Sequence, residues 1–109
     1  MGVVVSRYDV FLINLDPTVG SENKKSRPCL VVSPNEMNRV IRTVIVAPMT
    51  TAQRAYPSRV NLVFRKKAGQ VALDQIRTVD RSRLIKKLGS ISPKTRTKVH
   101  NVLAELLAP

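Results

Sequence analysis

Apolar positions fall along this chain in short runs that are separated by polar and turn-forming clusters. Tyr8–Leu15 and Cys29–Ser33 read as strands of alternating or fully buried type. Asn35–Asn38 reads as a helical turn, and Thr43–Met49, rich in valine and isoleucine, as a third strand. Thr50–Ser58 is a loop containing Tyr56-Pro57. Arg59–Phe64 sets Val60, Leu62 and Phe64 against polar alternates, the pattern of a half-buried strand. Lys66-Lys67-Ala68-Gly69 predicts a turn, Gln70–Thr78 a further strand, Asp80–Leu84 a short helical turn, and Lys87–Ile91 a closing strand. Ser92-Pro93 then offers an N-cap serine followed by proline at the first helical position. Val99, Val102, Leu103, Leu106 and Leu107 follow on one helical face. The pattern predicts a small, mainly β barrel carrying one C-terminal α-helix, with no repeat and no linker.

The connection between the first two strands breaks this economy. Asp16-Pro17-Thr18-Val19-Gly20-Ser21-Glu22-Asn23-Lys24-Lys25-Ser26-Arg27-Pro28 is about a dozen residues long, where a hairpin needs about 2–5. It collects a carboxylate at Glu22 and cations at Lys24, Lys25 and Arg27. Pro28 biases Arg27 to an extended backbone at the mouth of the next strand. The segment resembles the D-P-x-x-G-x-E…R-P loop of the MazF/PemK family of toxin endoribonucleases. Cys29-Leu30-Val31-Val32-Ser33-Pro34 is similar to that family's second strand. Val46-Ala47-Pro48-Met49-Thr50-Thr51 is similar to its strand ending in a hydroxyl pair. Val71-Ala72-Leu73-Asp74-Gln75-Ile76-Arg77-Thr78-Val79-Asp80 is similar to its D-Q-x-R-T-x-D strand. The likeness runs from Tyr8 to Leu107. It implies an SH3-like small barrel of the CcdB/PemK kind, one domain over residues 1–109, and usually a homodimer.

Length and charge sharpen the picture. With 109 residues the chain is one domain, and a domain this small gains stability by pairing. A single cysteine, Cys29, excludes an intrachain disulfide and fits a reducing, cytoplasmic home. Its apolar strand marks it as buried filler. No secretory leader is expected, and no apolar run approaches the roughly 18 residues of a membrane span. The net charge of +12, from 19 basic and 7 acidic residues, predicts a polyanionic partner. Aromatic residues make up only 4% of the chain, so base-stacking platforms are not expected. An RNA partner would be held by charge and hydrogen bonds.

RNA cleavage by attack of the 2′-hydroxyl needs a group to take its proton, a donor to steady the crowded phosphate, and help for the leaving 5′-oxygen. The chain has one histidine, His100, placed beside the helix stripe rather than in a motif, and no His/Cys/Asp spacing that suits a metal. No metal and no cofactor are expected. Arg27 is the first candidate for transition-state stabilisation, since guanidinium forks onto phosphate oxygens. Glu22 is the candidate base, against a plain solvated role paired with Lys24 or Lys25. Thr50, at a strand end, can donate its hydroxyl to a phosphate oxygen. The resemblance implies catalytic roles at the Arg27 and Thr50 positions, with proton transfer at Arg27 as the alternative to Glu22 as base. It also implies base reading at Asp74 and Gln75, for each of which a structural hydrogen-bonding role is the alternative. By alternation Asp74 and Gln75 fall on opposite faces of their strand. Ser21, Lys24, Lys25, Thr51 and Arg77 complete the expected substrate-binding set.

One branch of the family has histidine at the Ser21 position and arginine at the Ala72 position. Their absence favours the branch that relies on the Arg27 and Thr50 positions. The resemblance further implies cleavage of single-stranded RNA, in mRNA, at a short sequence. It implies control by an acidic antitoxin whose disordered tail covers the basic cleft. The alternative is a non-enzymatic, CcdB-like toxin that inhibits a topoisomerase through its C-terminal helix. The end here, Leu106-Leu107-Ala108-Pro109, lacks the tryptophan such proteins use.

Overall fold

A computed structural model describes residues 4–15 and 26–109. Strands β1 (Asp9–Asn14), β2 (Ser26–Val31), β3 (Thr43–Thr50), β4 (Arg59–Phe64), β5 (Lys67–Ala72), β6 (Arg77–Asp80) and β7 (Leu84–Ser90) alternate with helix α1 (Asn35–Val40) and end in helix α2 (Pro93–Leu106). The strands form one antiparallel sheet in the order β4-β5-β3-β2-β1-β7, with β6 paired to β3. The sheet curls into a half-barrel. Where its ends approach, the Arg65 guanidinium donates to the Leu88 carbonyl at 2.6 Å. A Cβ built on Gly89, where φ is +150°, would stand 3.3 Å from the Phe64 ring.

Both faces of the sheet are buried in part, and strand alternation sorts the side chains. Val10, Leu30, Ala47, Val60, Val71 and Leu73 point to one face, where Val99, Val102 and Leu103 of α2 cover them. Phe11, Ile13, Cys29, Val31, Val44 and Val46 form a second cluster on the other face, with Val79 of β6. Helix α2 starts as its sequence predicts: the Ser92 hydroxyl accepts from the Thr95 amide and Pro93 opens the helix. Its stripe ends early, because Leu106 and Leu107 are exposed.

The stretch Gln70–Thr78 is not one strand. It divides into β5, a 3-10 turn at Leu73–Gln75, and β6. The cause lies in β3, whose one edge is shared: Thr43–Val46 pair with β6, and Met49 and Thr50 pair with β5. A corner must separate the two partners. The predicted turn at Lys66–Gly69 also moves. The hairpin reverses at Arg65 and Lys66, both with positive φ (52° and 65°), so the reversal takes two residues, as in primed turns. Gly69 instead lies within β5, where a Cβ would come 2.7 Å from the Thr50 carbonyl oxygen. The closing strand begins at Leu84 and ends at Ser90, earlier at both ends than the pattern suggests.

Candidate active site

Sheet register sets up the site. Cys29, Leu30 and Val31 of β2 stand opposite Pro48, Ala47 and Val46 of β3. Continuing that register by two residues brings Arg27 opposite Thr50. Thr50 is paired in turn with Gln70, and Gln70 with Asn61 of β4. Directly paired residues share a face. Arg27, Thr50, Gln70 and Asn61 therefore make a polar row across four strands, on the face of the Cys29 cluster. Arg77 joins that face, since it pairs with Val46 and lies two residues before Val79.

Cys29 reports the local field. Burial pushes its thiol up to about 12, and the Arg27 and Arg77 cations pull in the opposite direction. Two guanidinium groups thus act on one buried sulfur from the same face. A thiol raised so far stays protonated at neutral pH, and with its full burial this makes Cys29 a packing residue. Arg27 itself is exposed at the start of β2, its backbone fixed by pairing with Ile13. The Thr50 hydroxyl oxygen accepts from the Ala52 amide at 3.1 Å. That bond uses an oxygen lone pair and leaves the O–H free to donate.

A groove of about 340 Å³ is lined by Thr50, Thr51 and Gln70 and by the cations of Arg65 and Lys67, and its apolar walls are Pro28, Met49, Leu62, Phe64 and Leu88. These are mostly side chains of the cluster beneath α2. Arg27 and Arg77 do not line it, so the groove's volume alone is a poor guide to the chemistry.

The remaining candidates fall into three groups. Ser21, Glu22, Lys24 and Lys25 lie outside the described residues. Thr51 and Gln75 are exposed, Thr51 at the start of the loop after β3. Asp74 and Gln75 do not sit on opposite faces of a strand, because both belong to the 3-10 turn. Asp74 already has partners. Its carboxylate accepts from Arg59 Nε at 2.7 Å and from the Ser58 hydroxyl at 3.0 Å. The hydrogen bond from Arg59 holds its carboxyl below the ordinary value. This arrangement fastens the end of the loop between β3 and β4, the structural alternative raised for Asp74.

The sequence pattern missed two members of the site region, Gln70 and Arg59. Gln70 is buried yet polar at the head of the apolar run Val71-Ala72-Leu73, and a polar residue in a core-facing run was the available signal. Arg59 shows no such signal, since its partner Asp74 is 15 residues away. His100 is exposed on α2. Among the described residues, no group of three His, Cys, Asp or Glu side chains is placed to hold a metal ion. No helix among them is long and apolar enough to cross a membrane.

The curled sheet, with its polar row across β2, β3, β5 and β4 and Arg77 of β6 on the same face, is a small β half-barrel closed by one helix, and the comparisons give it a family. Residues 6–107 match the model of the PemK-like, MazF-like toxin of type II toxin-antitoxin systems, and the chain belongs to that family. It is 35% identical to Endoribonuclease EndoA of Bacillus subtilis (strain 168), with 97% of each chain covered. It is 33% identical to the Endoribonuclease toxin MazF of Escherichia coli (strain K12), over 84% of this chain and 87% of that protein. Among solved structures, a MazE-MazF crystal structure from Deinococcus radiodurans superposes with a TM-score of 0.82 at 30% identity, covering 96% of each chain. A mycobacterial endoribonuclease in complex with its cognate antitoxin gives 0.82 at 29%, covering 94% of each. The CcdB-like alternative is not favoured by these matches.

Proposed function

We propose that this endoribonuclease toxin cuts single-stranded RNA by attack of the RNA's own 2′-hydroxyl on the adjacent phosphorus. One observation carries the reading: strand register puts Arg27, Arg77 and Thr50 on one face of the sheet. Arg27 forks onto the two non-bridging oxygens as negative charge gathers on the crowded phosphate. The Thr50 hydroxyl donates to one of them. Glu22 takes the 2′-hydroxyl proton, the 2′-oxygen bonds to phosphorus, and the bond from phosphorus to the 5′-oxygen breaks. The leaving oxygen takes a proton from solvent. The products are a 2′,3′-cyclic phosphate and a 5′-hydroxyl. Arg77, Lys24, Lys25, Ser21 and Thr51 hold the strand, Gln75 faces its bases, and Asp74, engaged by Arg59 and Ser58, holds the end of the loop between β3 and β4. Neither metal nor cofactor enters this scheme.

The protein works in the cytoplasm as a homodimer under the control of an antitoxin. Solved relatives that carry an antitoxin support the partner, and the net charge of +12 favours an acidic one. Small size and the exposed apolar side chains of Val40 and Leu107 support pairing.

The test is a cleavage assay on a short RNA, with and without EDTA, beside the same RNA methylated on the 2′-oxygen at the scissile nucleotide. Cutting should persist in EDTA, yield a cyclic phosphate end, and stop on the methylated strand. Cutting of the methylated strand would overturn internal attack.

A further inference from the structure

The loop between β3 and β4 is exposed from Thr51 to Pro57, and a loop of that kind needs an anchor if it is to hold a shape. Its anchor is a side chain of β5. The Gln70 amide donates from Nε2 to the Arg54 carbonyl at 2.9 Å and accepts at Oε1 from the Arg54 amide at 3.1 Å. Both backbone groups of one residue are thus taken by one side chain, as a neighbouring strand would take them. The second Nε2 proton goes to the Asn61 side-chain oxygen at 2.8 Å. Gln70 is only 3% exposed, so these bonds are shielded from water on its side. An unmet group there costs more than one at the surface.

Gln70 also pairs directly with Thr50 across the ladder and belongs to the row that includes Arg27. One amide therefore ties the loop to the strand position that carries a proposed catalytic hydroxyl. At the tie point sits Arg54, exposed, with a guanidinium that has no hydrogen bond or ion pair among the described residues.

Resting on the RNA-cleavage reading above, we propose that Gln70 is a positioning residue for the substrate. It fixes the loop at Arg54, so that the Arg54 cation meets an RNA phosphate flanking the one held by Arg27 and Thr50. Gln70 touches no RNA itself and acts through the loop backbone.

The experiment measures RNA affinity and cleavage separately. Affinity is read as Kd for a short RNA with 2′-O-methyl at every nucleotide, at several salt concentrations. Cleavage is read as kcat and KM on the unmodified strand. Gln70→Met keeps the volume and removes the hydrogen bonds. It should raise Kd and KM severalfold and by no more than Arg54→Ala does, since its effect on RNA passes through the Arg54 contact, and the rise in KM should exceed the fall in kcat. Arg54→Ala should also raise Kd and lower the slope of log Kd against log salt by about 0.7, the share of one phosphate contact on a single strand. In the Arg54→Ala background, Gln70→Met should add little, because both changes remove one function.

Gln70→Met with unchanged Kd overturns the proposal, as do effects of the two substitutions that simply multiply. If Gln70→Met does not fold, amide exchange in the wild-type protein decides. The Arg54 amide should be protected relative to those of Gln53 and Ala55, and equal exchange at all three would overturn the clamp. A wild-type protein that binds the RNA but never cuts it would refute the cleavage reading, while the Kd series would still judge the clamp.

Discussion

Replacing Arg27 with alanine separates chemistry from fold. Arg27 is exposed, and its backbone is held by antiparallel pairing with Ile13 on β1. The strand ladder does not use the side chain. A surface change of this kind costs at most about 0.5 kcal/mol of stability. Against a domain stability of ~5 kcal/mol or more, that leaves the protein almost wholly folded. Loss of a preorganised donor to a developing anion lowers the rate ~10²–10³-fold, which is about 2.7–4 kcal/mol of barrier. The two effects differ so far in size that a slow variant cannot be slow through unfolding. The Cys29 thiol, already pushed up to about 12 by burial, loses one opposing cation and moves further from reactivity. The assay is single-turnover cleavage of a labelled RNA oligonucleotide, with thermal unfolding followed on the same samples. Arg27→Lys should recover part of the rate, since lysine keeps the charge and loses the fork. A folded Arg27→Ala protein that cuts within a few-fold of wild type would refute the role given to this residue.

Three further outcomes follow from packing and charge. Leu30 is fully buried beneath α2, so Leu30→Ala should cost ~2–5 kcal/mol, read as a shift in the denaturant midpoint. Gly89→Ala should lower the melting temperature measurably. It forces a positive φ on a side chain and drives a Cβ against the Phe64 ring at 3.3 Å. The Asp80 carboxyl is lowered from 3.8 to about 2, chiefly by hydrogen bonds from Ser82 and further by Arg42. Its contribution to stability is therefore complete above the unfolded value of 3.8 and fades as pH falls toward 2. Asp80→Asn should flatten the stability profile in that acid window, and an unchanged acid slope would contradict the assignment.

The sequence revealed elements best where one local rule governed each. Arg59–Phe64 was found with both ends correct because alternation and turn residues agreed, and α2 because its cap is chemically explicit. It misled where a distant partner decided. Nothing within Val71-Ala72-Leu73-Asp74 signals a corner. The corner exists because β3 offers one edge to two partners. Gly69 looked like a turn residue, yet its smallness serves a close approach to the Thr50 backbone. The turn itself fell to Arg65 and Lys66, whose side chains carry no preference for positive φ. For the candidate site, the placement of Arg27 and Thr50 at strand ends was legible. Their alignment with Gln70 was not, because a row across a sheet is a property of register and register is nonlocal.

The strand order also sets a timetable. Arg27, Thr50 and Gln70 all lie between residues 26 and 72, in strands β2, β3 and β5. The outer edge of β1 has to wait for β7, where Asp9 pairs with Ser90, and the cluster under α2 has to wait longer still. Contacts this distant in sequence are slow to form. On a ribosome that delivers the chain from its N-terminus, the polar row of Arg27, Thr50 and Gln70 is synthesised well before the parts that brace it. The elements that flank β1 and cover the first cluster, β7 and α2, come last in chain order. Until β7 emerges, the outer edge of β1 has no strand to pair with, and an unpaired edge is a template for other chains.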